Sequence, residues 1–132
     1  LPGAVERLRS QRDAHESAPV VLAATDPAQP YGAALPWPRS GSARPQRAAG
    51  ALVVLHRAEP AVYVERGGRG LQLLADDPGP ALRALAEFVL ADRKRRLSIE
   101  RVNGEPVVGS EHEALLIETG FRAGPRKLTL SA

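Results

Sequence analysis

The middle of the chain alternates apolar and polar positions with a period of two, which is typical of half-buried β-strands. Three such runs occur, at 51–56 (ALVVLH), 61–65 (AVYVE) and 71–75 (LQLLA), separated by Glu59-Pro60 and by the glycine-rich stretch 67–70. Because short turn sequences join consecutive runs, the pattern predicts a three-stranded antiparallel meander.

After the meander the apolar period changes to that of a helix. Asp77 is placed to cap the helix N-terminus, with Pro78 as the first helical residue. One helix face then carries a set of apolar residues, namely Leu82, Leu85, Ala86, Val89 and Leu90. We therefore predict an amphipathic helix whose last turn is the basic run 93–96 (RKRR), where cations stabilise the C-terminal helix dipole.

The last third of the chain predicts two more strands and a second helix. Residues 97–102 (LSIERV) are predicted as a strand that ends in a tight turn at Asn103-Gly104. The segment 110–113 (SEHE) matches a capping box, in which the Ser hydroxyl and the Glu carboxylate each bond the other's backbone amide. The helix it starts is predicted to end at Gly120, and 127–131 (KLTLS) to form the closing strand.

The N-terminal part is predicted to be less regular. Residues 1–17 have helical spacing and are expected to be a helical lead-in from a preceding module, whereas 18–24 (APVVLAA) are predicted as a strand. The stretch 26–50 is a Pro-rich and basic loop, and the prolines on both sides of Trp37 keep it out of a helix or central strand. Residues 18–132 are thus predicted to form one α+β domain: a mainly antiparallel sheet, made of the meander and further strands, with two helices packed on it.

Length and composition fit a single domain and exclude several kinds of site. With 132 residues, 43% of them hydrophobic, the chain is long enough for one core. It has no cysteine, which excludes disulfides, thiolate chemistry and cysteine-ligated zinc. The histidines at positions 15, 56 and 112 are far apart, so no metal site is expected. No apolar run approaches the roughly 18 residues of a membrane helix, and we expect a cytoplasmic protein without membrane contact.

The distribution of charge points to a polyanionic partner. The net charge is +3, but residues 39–101 carry 12 basic and 7 acidic groups. All the basic residues except Lys94 and Lys127 are arginines. The planar guanidinium suits phosphate and base stacking, although codon usage in a GC-rich genome would also favour arginine over lysine. The residues alone therefore make a nucleic acid a candidate partner.

The aromatic residues of the Pro-rich loop have two interpretations. Trp37 and Tyr31 either pack over the sheet and hold the loop in place, or they form a stacking platform for an unpaired base. The adjacent basic segment places Arg39, Arg44 and Arg47 beside them, where guanidinium groups could contact phosphates.

Two further basic segments have both a structural and a functional interpretation. The sequence ERGGRG (65–70) is explained by a hairpin turn that requires glycine at positive φ, although its arginines could also reach phosphate. The RKRR run either completes a helix or contributes to a cationic stripe. The predicted nucleic-acid contacts are Tyr31, Trp37, Arg39, Arg44, Arg47, Arg66, Arg69, Arg93, Lys94, Arg95 and Arg96. No catalytic or metal-binding residue is predicted, because the carboxylates of Asp26 and Asp77 are explained as turn and cap groups.

Five passages of the chain together resemble one known family. They are Ala24 to Pro38 (ATDPAQPYGAALPWP), Gly50 to Leu55, Tyr63 to Gly68, Gly104 to Val107, and Gly120 to Leu130. These passages are similar to the C-terminal domain of the Lhr family, the large helicase-related proteins of bacteria. The resemblance covers nearly the whole chain.

The resemblance implies a parent protein that is an ATP-dependent 3′-to-5′ superfamily 2 DNA helicase acting in DNA repair. The family's motor domains lie in the N-terminal half, where ATP and Mg would bind. This chain has no Walker A loop and no Asp-Glu-X-His box, so we expect no cofactor and no enzymatic activity in it. The implied partners are single-stranded or tailed duplex DNA and the neighbouring winged-helix modules of the same polypeptide, in the nucleoid-associated cytoplasm.

Two alternative functions stay open. The C-terminal half of the family is similar to AlkZ-type DNA glycosylases, which suggests a base-excision module, but their Gln-X-Gln motif is absent because Gln72 has no partner two residues on. The second alternative is a protein–protein interaction or oligomerisation module that uses a meander edge or the Pro-rich loop. Binding that weakens steeply with salt would favour DNA over an apolar protein interface.

Overall fold

A computed structural model describes residues 18–38 and 44–132, so the predicted lead-in 1–17 and Arg39 lie outside the described residues. Six strands form one sheet in the order β1-β2-β3-β4-β6-β7, and three form a second in the order β5-β9-β8. The strands are Val20–Ala23 (β1), Leu52–His56 (β2), Glu59–Val64 (β3), Gly70–Leu73 (β4), Arg96–Ile99 (β5), Arg101–Val102 (β6), Glu105–Pro106 (β7), Arg122–Ala123 (β8) and Leu128–Ser131 (β9). The helices are Gly79–Leu90 (α1) and Glu113–Thr119 (α2).

The predicted α+β fold with a mainly antiparallel sheet and two helices is confirmed. Strands β2, β3 and β4 form the antiparallel meander, and β1 adds antiparallel to β2. Strands β4 and β6 pair in parallel. Both helices pack on the sheets, since α1 contacts β1, β2, β3 and β9, and α2 contacts α1 and β9.

The turns of the meander depend on left-handed backbone conformations. Gly67 and Gly68 have φ of +91° and +69°, as expected for the turn between β3 and β4. The turn between β2 and β3 places Arg57 (φ +54°) and Ala58 (φ +66°) in the same region, without glycine. Since two-residue hairpins favour Asn, Asp or Gly at such positions, this second turn is strained.

Helix α1 begins one residue later and ends earlier than the sequence pattern predicts. Pro78 is the N-cap, and Asp77 Oδ1 accepts a hydrogen bond from the Gly79 amide, one position from the predicted arrangement. The prediction that the RKRR run is the last helical turn is wrong, because α1 ends at Leu90. Asp92 explains this end: its carboxylate accepts from the Lys94 amide (2.9 Å), a local bond that competes with the helix.

The predicted strand 97–102 is also wrong as a single element. It divides at Glu100 into β5, which pairs with β9 in the small sheet, and β6, which pairs with β4 in the large one. The Glu100 amide donates to the Arg69 carbonyl, and its own carbonyl accepts from Val107. Both halves bury their apolar residues, so the chain crosses between sheets within one core.

Helix α2 starts with a shifted version of the predicted capping box. Ser110 Oγ accepts from the His112 amide (3.2 Å), and Glu113 Oε2 accepts from the Gly109 amide (2.8 Å), so the two side chains do not bond each other's amides. The predicted end at Gly120 is confirmed by its φ of +125°. The tight turn at Asn103-Gly104 is likewise confirmed, with both residues at positive φ between β6 and β7.

The six-stranded sheet is covered on both sides by different kinds of structure. We call one side the helix face: its residues, Leu52, Val54, Val62, Val64, Leu71 and Leu73, belong to the main core with α1. We call the other side the loop face: Val53 and Tyr63, paired across β2 and β3, lie with Ala24 and Ala51 under the Pro-rich loop. Because side chains alternate along a strand, the two faces are separate surfaces.

Among the described residues, no helix is long and apolar enough to cross a membrane. Residues 18–38 and 44–132 also contain no group of three or more His, Cys, Asp or Glu side chains that could hold a metal ion.

Candidate nucleic-acid interface

The three aromatic rings of the loop face form one cluster. Trp37 is half-buried and lies between Tyr31, at 6.0 Å between ring centroids, and Tyr63, at 5.8 Å in an edge-on arrangement. Gly32 (φ +82°) permits this packing, since a Cβ at that position would lie 2.6 Å from Trp37 Nε1. Trp37 thus packs over the sheet, as the first interpretation of the loop predicts, and base stacking on it stays a prediction.

Polar side chains tie the Pro-rich loop to itself and to the sheet. The guanidinium of Arg47 donates to the backbone carbonyls of Thr25, Asp26 and Gln29. The buried amide of Gln29 in turn donates to the carbonyls of Ala24 (2.8 Å) and Tyr31 (3.0 Å). Arg47 therefore holds the loop, and these bonds occupy three of its five N–H donors.

The two tyrosine hydroxyls and Gln72 anchor the loop to the meander. Tyr63 donates to the Gln46 carbonyl (2.9 Å), and Tyr31 donates to the carbonyl of Ala58 in the strained turn (2.7 Å). The amide of Arg44 donates to Gln72 Oε1 (2.9 Å). Burial raises the pKa of the Tyr63 hydroxyl above its ordinary value, because the phenolate would lose its hydration.

A groove at the edge of the helix face, which we call the cationic groove, collects a second set of predicted residues. Its volume is 440 Å³, its floor is apolar, and its rim carries Lys94, Arg95 and Arg96. The floor consists of Leu52, Val64, Phe88, Val89 and Leu97, and glycines 50, 67 and 68 complete the lining. None of these described lining residues carries a carboxylate.

The turn between β3 and β4 at Gly67 and Gly68, which we call the glycine turn, brings Arg66 close to the basic run 93–96 at this groove. The Ser98 amide donates to the Gly68 carbonyl (3.2 Å), and a Cβ at Gly68 would lie 3.2 Å from Leu97 Cδ2. A side chain there would therefore push the turn away from β5. Arg66 lies beside the groove, with its Cγ 3.2 Å from where a Gly50 Cβ would be.

The other basic residues of these segments differ in their surroundings. Arg69 is exposed and lies 3.8 Å from the Glu100 carboxylate. Arg93 is exposed and does not line the groove. Arg95 lies over the Phe88 ring, with Cζ 3.7 Å from the centroid, and its Nη1 donates to the Phe88 carbonyl (3.0 Å).

The predicted contacts are thus divided between the two faces of the sheet. The loop face holds Tyr31, Trp37, Arg44 and Arg47, whereas Arg66, Lys94, Arg95 and Arg96 surround the cationic groove. Sequence reasoning missed the groove floor, and Phe88 above all. An aromatic residue one turn before the end of an amphipathic helix and followed by a basic run is the signal that could have found it.

A second cavity, of 380 Å³, lies at the other end of the meander and has a different electrostatic character. It is lined by His56, Arg57, Glu59 and Asp77 around an apolar floor that includes Leu74. Acidic and basic side chains mix there, so it is less suited to phosphate than the cationic groove.

Comparison with known proteins identifies the family. No model of a known protein family matches the chain. The chain is 44% identical over 142 residues to "Lhr helicase/ probable uracil glycosylase" of Mycolicibacterium smegmatis, a match that covers 96% of the chain and 9% of that protein. It is 34% identical over 118 residues to "Lhr helicase/uracil glycosylase" of Escherichia coli, covering 83% of the chain and 8% of that protein. The chain spans less than a tenth of either relative, and it belongs to the Lhr family.

Proposed function

We propose that this chain is a C-terminal accessory domain of an Lhr-type DNA helicase and that it holds DNA through the cationic groove. The observation that carries the proposal is that Lys94, Arg95 and Arg96 line one groove whose described lining has no carboxylate. Arg66 adds a further cation next to Gly50 of that lining. Like charges gathered at one place are costly unless a polyanion neutralises them.

The parent's activity supplies the context for this role. Both relatives are named as helicases, and we propose that the parent unwinds DNA in the 3′-to-5′ direction during repair. ATP and Mg would act in motor domains outside this chain. We propose that the domain works beside winged-helix modules of the same polypeptide, on single-stranded or tailed duplex DNA in the nucleoid.

The relatives' names also include uracil glycosylase, which raises the base-excision alternative. Every described carboxylate is exposed or half-buried, and Gln29, whose amide is occupied within the loop, is the one buried polar residue of the described part of the chain. A general acid or base must lie within hydrogen-bond reach of the group on which it acts, and the described lining of the cationic groove has no carboxylate. We therefore propose that this domain contributes DNA binding rather than excision chemistry.

The protein-interaction alternative has weaker support. The exposed apolar residues Val20, Leu35, Leu90 and Ile117 lie on different elements, namely β1, the Pro-rich loop and the two helices. A dedicated protein interface concentrates apolar and aromatic residues at its centre. DNA binding at the groove is the function that the described residues support best.

Titration of fluorescently labelled DNA, followed by anisotropy, tests the proposal. We expect the wild-type chain to bind, with affinity falling steeply between about 50 and 200 mM salt. Replacing Lys94 and Arg96 by Gln should weaken binding and reduce the salt slope by about 1 for each lost phosphate contact. Arg83→Gln is the matched control, since Arg83 is exposed in the first part of α1, away from the groove.

Two results would contradict the proposal. One is no salt-dependent binding by the wild-type chain to either single-stranded or tailed duplex DNA. The other is an equal loss of log affinity for each charge removed in the Arg83→Gln control, which removes one charge, and in the double variant, which removes two. That result would show that net charge rather than the groove governs binding.

A further inference from the structure

Arg95 is held in one orientation by two contacts to the same residue. Its Cζ lies 3.7 Å from the centre of the Phe88 ring, and its Nη1 donates to the Phe88 carbonyl. The residue is nevertheless exposed, so these contacts do not bury the guanidinium. A side chain whose rotamers are already restricted loses less entropy when a ligand binds it.

The space beside this guanidinium is shaped for a flat apolar group. Phe88, Val89 and Leu97 provide an apolar floor, and the groove volume of 440 Å³ lies in the range of about 300–1,000 Å³ common for small-ligand sites. Apart from its chain neighbours, a Cβ at Gly67 would meet no atom within 4 Å, so the space at this turn is open.

The charges at the rim specify what kind of flat group fits. Lys94 and Arg96 flank Arg95 in the chain, are exposed, and line the groove with it. An apolar floor with cations at its rim matches a nucleobase, which is flat and weakly polar, joined to phosphates that carry negative charge. Charge complementarity therefore favours a nucleotide over an apolar peptide.

We propose that the cationic groove holds one unstacked base of a single DNA strand, with the base against the Arg95 guanidinium and the neighbouring phosphates at Lys94 and Arg96. This inference rests on the proposed function and specifies its substrate class. Guanidinium planes stack on bases as aromatic rings do, and Phe88 supports this plane from below.

Two properties of binding follow. The groove selects single strands, because the bases of a duplex are stacked and paired and only an unpaired base can enter. It accepts any base, because Arg95 stacks, Lys94 and Arg96 hold phosphates, and the rest of the described lining has no polar side chain to read a base edge.

The experiment compares Arg95→Lys with Arg83→Lys in the 132-residue chain. The probe is a short thymidine oligonucleotide containing one fluorescent adenine analogue, used alone and as a fully paired duplex. Arg95→Lys keeps the charge but removes the planar guanidinium, so we expect roughly tenfold weaker single-strand binding, a lost fluorescence change and an unaltered salt slope. Arg83→Lys makes the same chemical change at an exposed residue outside the groove and should leave all three unchanged.

Phe88→Leu is a second variant, which removes the ring and keeps an apolar floor. It should weaken single-strand binding in the same direction, and thermal unfolding checks that it stays folded. Should it unfold, Arg95→Lys decides alone.

The outcomes separate the two proposals. If wild type binds DNA with a steep salt dependence but Arg95→Lys equals Arg83→Lys, the base site is overturned while phosphate binding stands. Equal affinity of the wild-type chain for the single strand and the duplex would also overturn the base site. If wild type binds neither probe, the proposed function fails and the base site fails with it.

Discussion

The two faces of the six-stranded sheet are stabilised in different ways. The helix face packs against α1 through fully buried aliphatic side chains such as Leu82 and Leu85. The loop face is covered by a chain segment without regular structure, held by the aromatic cluster and by the hydrogen bonds of Arg47 and Gln29.

The aromatic cluster of the loop face and the cationic groove therefore lie on separate surfaces of the sheet. Prolines order the Pro-rich loop at low entropic cost, and Trp37 fastens it to the sheet. The helix face, in contrast, carries the groove at its edge, where the ends of α1 and of the β3–β4 turn meet. If the two faces are separate units, a substitution confined to one face should leave the packing of the other unchanged.

The largest effect is expected on the helix face. Leu85 is fully buried in the main core, so Leu85→Ala removes apolar contacts and leaves a cavity. We expect the free energy of unfolding to fall by about 2–5 kcal/mol, measured by urea denaturation with circular dichroism. Trp37 fluorescence should change at the same urea concentration, and a loss below about 1 kcal/mol would contradict the packing described.

The loop face should respond more locally. In Gly32→Ala the new Cβ would collide with Trp37 Nε1 and occupy a positive φ, at a cost of about 1–3 kcal/mol. We expect Trp37 emission to shift to longer wavelength while the circular dichroism of α1 is kept. Gly104→Ala is the matched control, since Gly104 has the same φ of +82° and a Cβ there would meet nothing within 4 Å. Equal effects in both variants would mean that the collision with Trp37 does not matter.

A smaller, pH-dependent effect is expected from Tyr63. Tyr63→Phe removes the hydrogen bond to Gln46 and should cost about 0.5–1.5 kcal/mol near pH 7. The pKa of Tyr63 is raised in the folded state, so its contribution is complete below the ordinary tyrosine pKa of about 10 and is lost as pH rises through the folded-state pKa. Denaturation from about pH 8 to 11 should therefore show a steeper fall for wild type than for Tyr63→Phe. Parallel curves would contradict this.

The smallest effect is expected at the strained turn between β2 and β3. Ala58→Gly relieves a positive φ but adds entropy to the unfolded chain, so we expect a net gain of a few tenths to about 1 kcal/mol. The Tyr31 bond to the Ala58 carbonyl does not depend on the side chain at 58 and should persist. Thermal unfolding measures the gain, and a lower melting temperature would show that the turn is not strained.

Elements set by local sequence were predictable, and those set by distant contacts were not. The meander, the Asn103-Gly104 turn and the end of α2 at Gly120 all follow from residues within a few positions. The division at Glu100 does not, since its two halves pair with strands of different sheets. The end of α1 is an exception, because it depends on a local bond at Asp92 that the apolar pattern does not show.

The candidate site shows the same limit. The basic residues around the cationic groove were predicted from composition and clustering. The sequence did not show that these residues come together because Gly68 packs closely against Leu97. Nor did the sequence show that the Arg47 guanidinium donates hydrogen bonds to loop carbonyls. Those bonds join residues about 20 positions apart in a segment without periodicity.

The parallel pairing of β4 with β6 has a consequence for the order of folding. A parallel neighbour requires a crossover, and here the crossover contains all of α1 and β5 before Leu71 meets Val102. Contacts of high sequence separation form slowly, whereas the hairpins of the meander close early. The glycine turn lies before this crossover and Arg96 near its end. A folding intermediate that contains only the meander would therefore have the glycine turn but not Lys94, Arg95 and Arg96 beside it. The groove would be among the last features to form.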